Sequence, residues 1–164
     1  MSDATALSRL FLEEARFHLM QQYLPWLRAC LAHLMEEDIW WRPNAASNSA
    51  GNLILHLCGN VRQWIMHGLA GRPDVRARDA EFAVSDPLPK AELLQQLEAT
   101  LAEAETVLQQ LTAADLAQPR RIQGFDQTGL SAVFHVVEHF SHHTGQIIYL
   151  TKLRTGVDLK FWNL

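Results

Sequence analysis

From about Thr5 to Leu34, apolar residues return at three- and four-residue steps (Leu7, Leu10, Phe11, Phe17, Leu24, Leu27, Leu31 and Leu34), the period of an amphipathic helix. Pro25 lacks a backbone donor and crowds the preceding turn, so a kink is expected there. The stretch "MEEDIWWRPNAASNS" then breaks the period, and its last serine, Ser49, is a suitable cap for a second helix running to about Leu69. A Pro- and Gly-bracketed connection, "GRPDVRARDAEFAVSDPLP", follows. At about 3.3 Å per extended residue it can run the length of a 20-residue helix. A third helix is expected from about Lys90 to Leu111, with Leu93, Leu94, Leu97, Leu101, Leu108 and Leu111 inward and a solvated Gln/Glu face outward.

"TAADLA" then reads as a short turn and "QPRRIQGFDQTG" as irregular chain leading to a fourth helix, about Leu130 to Arg154. No run with the two-residue period of a strand competes. These elements predict an all-α fold, a four-helix bundle with at least one long crossover connection, as a single domain spanning 1–164.

Composition narrows the function classes. Fourteen Lys and Arg against eighteen Asp and Glu give a net charge of −4 and no basic stripe, which argues against nucleic acid as a partner. No stretch offers about 18 uninterrupted apolar residues, and acids precede any apolar run of signal-peptide length, so a cytoplasmic protein without a membrane partner is expected. Cys30 and Cys58 show no metal or redox spacing and read as small buried apolar residues. The partner class left is a small-molecule substrate, with a second copy of the chain, as a homodimer, left open.

The segment "HVVEHFSHHTGQI" holds four of the eight histidines. On a helical wheel with His135 at zero, Val133, Val136, Val137, Phe140, Ile147 and Ile148 fall between about 100° and 220° and define the core face. His139 and His143 border it at about 40° and 80°, whereas His142 points away near 340°. Their H-x-x-x-H spacing sets two imidazoles one turn apart, where both can reach one ion at about 2.0 to 2.1 Å. By itself this spacing reads more readily as a polar seam.

The second helix shifts that balance. It is apolar around most of its circumference, carries a single charged residue, Arg62, and yet sets Asn52, His56 and Asn60 in a seam at i, i+4, i+8. Buried polar groups require partners. His56 with His139 and His143 would form a three-imidazole metal site with one open position, the arrangement of catalytic metals. Asn52, Asn60 and Gln146, the last near 20° on the wheel, are expected to line or support the pocket. His135 is either exposed or a supporting partner one turn before His139. His18 and His67 lie outside any such seam and read as ordinary polar residues.

"NSAGNLILHLCGNVRQWI" and "HVVEHFSHHTGQIIY" together resemble the DinB-like superfamily of metal-binding four-helix bundles, whose hallmark is one histidine on the second helix and H-x-x-x-H followed by G-Q on the fourth. "WWRPN", "GFDQTG" and the closing "KFW" resemble an uncharacterised bacterial branch, so the likeness spans nearly the whole chain. The resemblance implies the same ligand set, His56, His139 and His143. It also implies kinship with thiol-dependent transferases and isomerases, in which the metal holds the sulfur of a low-molecular-weight thiol.

Three functions follow as expectations. The first is a metal-dependent transferase that presents a thiolate to a small-molecule electrophile. The second is a metal-dependent hydrolase; no inward carboxylate is evident on the histidine helices, since Glu138 lies near 300°, but Asp74, Asp79 or Glu81 could fold over from the long connection. The third is a non-catalytic metal-binding module. Imidazole ligation suits a divalent transition metal such as Zn, Ni, Fe or Cu.

Overall fold

A computed structural model of the chain describes residues 3–83 and 87–162. The first helical column comprises α1 (Asp3–Arg16), a wide π-helical segment (Phe17–Tyr23) and α2 (Leu24–His33). The kink expected at Pro25 takes the form of that wide segment just ahead of it, closed by the Leu24 N–H bonding back to the Leu19 carbonyl, one residue beyond the α-helical partner. A short helix, α3 (Glu36–Ile39), precedes α4 (Ala50–Val61), which continues as a second π-helical segment (Arg62–His67). Ser49 caps α4 as its sequence position suggests, accepting a hydrogen bond from the Asn52 N–H.

A 3₁₀ turn (Arg78–Glu81) lies in the long connection before α5 (Lys90–Gln110). The expected turn at "TAADLA" is instead a short helix, α6 (Ala113–Ala117), because Thr112 and Asp115 cap each other's backbone. The irregular chain expected after it is a hairpin of β1 (Pro119–Ile122) and β2 (Phe125–Thr128), pairing Ile122 with Phe125. Its two-residue turn needs left-handed backbone at Gln123 (φ 54°) and Gly124 (φ 83°), so the Gln-Gly pair was the hairpin signal. The fourth long helix, α7 (Gly129–Thr155), stops at Gly156 in the left-handed region.

The pairings fix the topology as a helical bundle. Arg16 bonds Glu105 and Arg28 bonds Glu98, so the first column runs antiparallel to α5. His56 faces His139 and Asn60 faces His135, so α4 runs antiparallel to α7. α4 begins beside Trp40, which meets Gly51, and α5 begins at the same end, where Lys90 bonds the Leu34 carbonyl. Two successive long helices thus point the same way, and the connection between them crosses back along α4.

The core packs Leu27, Leu57, Leu97, Leu101, Val136 and Phe140 from all four columns. One expectation about the first helix is corrected: Leu7, Leu10 and Phe17 are exposed, and Leu12, Ala15, Leu19 and Tyr23 face inward. α1 carries two apolar stripes, and the phase change in the π-helical segment aligns the second with Leu24 and Leu27. Replacing the fully buried Leu97 with Ala should lower unfolding free energy by about 2–5 kcal/mol, whereas Leu7→Ala should stay within about 0.5 kcal/mol. Urea denaturation of the two variants checks the assignment.

Candidate metal centre

α4 and α7 bring His56, His139 and His143 together. Each offers a ring nitrogen, and the three ligand atoms all lie within 4.8 Å of one another. Their ring centroids are 4.9 Å (His56–His139), 5.0 Å (His56–His143) and 4.4 Å (His139–His143) apart, with planes steeply inclined to one another. Such inclined rings are not stacked face to face, and inclined planes are compatible with lone pairs that meet at one ion. The Nε2 atoms of His56 and His139 approach to 2.9 Å, which requires one proton or one cation between them. Among the described residues, no fourth His, Cys, Asp or Glu joins the group.

Partners behind the rings fix their tautomers. His56 Nδ1–H donates to Glu81 Oε2 at 2.7 Å, which leaves Nε2 as a lone pair facing His139. His143 Nδ1–H donates to Gln146 Oε1 at 2.7 Å in the same manner. Burial, with the neighbouring rings of His143 and His56, pushes His139 down to about 3, and burial pushes His143 down to about 4. Both are neutral at physiological pH, the state in which imidazole binds metal.

Glu81 is itself held by the crossover. Arg76 forks onto it, Nε to Oε1 at 2.7 Å and Nη2 to Oε2 at 2.9 Å, and also donates to Gln63 at 2.9 Å. Gln63 in turn donates to Asp74 at 2.8 Å. Burial acts to raise the Glu81 carboxyl, but the bonds from Arg76 and His56 outweigh it and leave the group below its ordinary value. The approach is close enough that α4 carries no side chain beneath it: a Cβ on Gly59 would stand 1.9 Å from Glu81 Oε1 and 3.0 Å from Arg76 Nε.

The asparagine seam divides in two. Asn52 is fully buried; its Nδ2 donates to the Glu81 carbonyl at 3.0 Å, and its Oδ1 accepts from Ser49 and from Arg42 of "WWRPN". Arg42 also donates to the Phe82 carbonyl, and the Phe82 ring lies 4.9 Å from that of His56. Asn60 instead donates to His135 Nε2 at 3.1 Å. His135 is half-buried against Trp64, with ring centroids 4.0 Å apart, and burial lowers its pKa. His142 is exposed as the wheel indicates, and His18 bonds Gln22 on the first column.

Arg76 and Gln63 carried no site signal in the sequence, and Glu81 was one of three acids in the connection able to fold over. The crossover has no period that would register it against α4. A glycine within an otherwise apolar helix was the readable mark of a close approach at that height.

Comparison with known proteins places the fold. The fold is that of the DinB-like proteins: the structure is similar to a DinB-like protein of Bacillus cereus, with a TM-score of 0.69, 16% sequence identity and coverage of 91% of this chain and 93% of that one. It is likewise similar to the DinB-like protein YjoA of Bacillus subtilis, with a TM-score of 0.67, 16% identity and coverage of 88% and 93%. The chain belongs to the family described as a protein of unknown function, DUF1572, which it matches over residues 6–163. Comparison with curated proteins finds no match.

The tautomer argument can be checked by ¹⁵N NMR of the histidine rings. His56 should show a protonated Nδ1 carrying the shift of a carboxylate-bound N–H. Gly59→Ala should abolish that signature by displacing Glu81 while leaving helical circular dichroism intact, since alanine favours a helix interior by about 0.5–1 kcal/mol over glycine.

Proposed function

We propose that this protein is a metal-dependent enzyme, in which His56, His139 and His143 hold a divalent transition metal and the open position receives a low-molecular-weight thiol for transfer to a small-molecule electrophile. The observation that carries the reading is the convergence of three ring nitrogens within 4.8 Å, since tetrahedral bonds of about 2.0–2.1 Å set ligand atoms about 3.3 Å apart. Zn, Ni and Fe all suit such a donor set. A structural metal takes four protein ligands as a rule, and three point to an exchangeable fourth position.

When bound, the ion would supply Lewis acidity that favours the thiolate form of the thiol at neutral pH. The protein's part is to hold neutral imidazoles in the right tautomer, His56 through Glu81 and His143 through Gln146. The thiol must come from outside the chain. Cys58 is buried with its pKa pushed up to about 11 and Cys30 is likewise raised by burial, so neither furnishes a thiolate at neutral pH. This agrees with their reading as small core residues.

Hydrolysis is the weaker reading. Glu81 folds over from the connection, but its carboxylate faces His56 Nδ1, behind the ring, and is forked by Arg76. Asp74 is engaged by Gln63 and the Arg76 N–H, and Asp79 is exposed. Among the described residues, no helix is long and apolar enough to cross a membrane.

His139→Ala should abolish tight metal binding with helical circular dichroism retained, because the leucine-rich core folds without the ion. In parallel, metal-stripped protein should fail to consume thiol in the presence of an electrophile, and added metal should restore consumption. Equal thiol consumption with and without metal would refute the transferase reading, and retained metal in His139→Ala would move the site elsewhere.

A further inference from the structure

Seven of the eight glycines have a local reason to be glycine. Gly71, Gly124 and Gly156 take positive φ, and at Gly51, Gly59, Gly68 and Gly129 a Cβ would meet another atom within 3.0 Å. Gly145 has neither reason. It sits inside α7, two residues after His143, with nothing among the described residues within 4 Å of the place a Cβ would occupy. Glycine weakens a helix interior relative to alanine, so a flat, open surface at this point calls for something that approaches it from outside the chain.

Gly145 forms part of the wall of a cavity of about 550 Å³ between α4, α7 and the chain from Pro43 to Asn48. This volume lies within the range of small-molecule sites. The three converging histidines do not line it, and its own imidazole is that of the exposed His142; it adjoins them through Leu53, one turn before His56, and through Gln146, which bonds His143. Ser47, Asn48 and Gln146 offer hydrogen bonds, and Tyr149, 68% exposed, offers a ring face. Among the described residues, no Asp, Glu, Lys or Arg lines it. A second cavity of about 380 Å³, on the far side of Glu81, has Arg62, Arg72, Asp74 and Glu103 in its wall, in contrast to the one beside His143.

We propose that this cavity binds the electrophilic substrate, and that the substrate is an uncharged molecule with a planar ring, lying over Gly145 against Tyr149. A charged molecule would shed hydration there with no carboxylate, lysine or arginine of the lining to meet it. A planar ring can approach the bare backbone of Gly145 closely and stack on the tyrosine. The role as substrate site rests on the metal-dependent reading above, whereas the binding of such a molecule does not.

The test uses the full chain stripped of metal, with nitrobenzene and 4-nitrobenzoate as probes in equilibrium dialysis. Nitrobenzene should bind at least ten-fold more tightly than 4-nitrobenzoate. Gly145→Leu, which fills the cavity from an unobstructed position, should weaken nitrobenzene at least ten-fold with zinc uptake and helical signal unchanged, and Tyr149→Ala should weaken it several-fold. Equal binding of the two probes, or indifference to Gly145→Leu, overturns the proposal. A change in sedimenting mass on Gly145→Leu also overturns it, by assigning the flat surface to contact with a second copy. Because the probes are measured without metal, failure here leaves the metal centre standing, and absence of zinc uptake would sink the metal reading without altering the probe result.

Discussion

A buried histidine on an apolar helix has two ring nitrogens to satisfy, and the arrangement around His56 follows from that requirement. His56 is only 5% exposed, and its polar neighbours on α4, Asn52 and Asn60, are engaged with the Glu81 carbonyl and His135. The crossover supplies one partner, the Glu81 carboxylate, which is neutralised by the Arg76 fork. Unpaired, that carboxylate would be a buried charge and would be displaced to solvent or protonated. The second nitrogen then has a single direction left, toward His139 and His143 on α7. The same few bonds therefore pin the crossover to the bundle, choose the tautomer and aim the lone pair.

This dependence explains why two successive helices run parallel. A short turn after α4 would return the chain antiparallel and leave its outer face open. The long connection instead runs back along α4, so Arg76 reaches Gln63, Glu81 reaches His56 and the Glu81 carbonyl reaches Asn52. Gly59 is the steric condition for that path, and "WWRPN" holds it from the other side through Arg42 on Asn52 and Phe82. The aromatic residues nearby anchor the same end: the Trp40 indole N–H donates to the Leu88 carbonyl, Arg154 lies over Trp41, and Phe161 stacks on Trp26.

The long helices and the pairing of His56 with His139 and His143 were legible because they rest on a 3.6-residue period, which registers each position against a face. Asn52 and Asn60 were singled out by their seam on the second helix and Gln146 by its place beside His139 on the wheel; Asn60 serves His135 and not the three converging rings. What escaped were features set by tertiary contact or by special backbone. The inward stripe of α1 was misjudged because a π-helical turn shifts its phase, and the hairpin was missed because its strands, "PRRI" and "FDQT", are too short and polar to show alternation. Arg76 belongs to a segment without periodicity, where only the fold decides which charges turn inward.

The central claim is that three neutral imidazoles and no fourth protein ligand surround one ion. Anomalous diffraction from crystals of zinc-loaded protein measures this directly. The account predicts one strong peak at about 2.0–2.1 Å from a ring nitrogen of each of His56, His139 and His143, with a non-protein ligand completing the shell. A peak bonded to His142, His18 or either cysteine, a fourth protein ligand at the expected position, or no peak between α4 and α7 would contradict it.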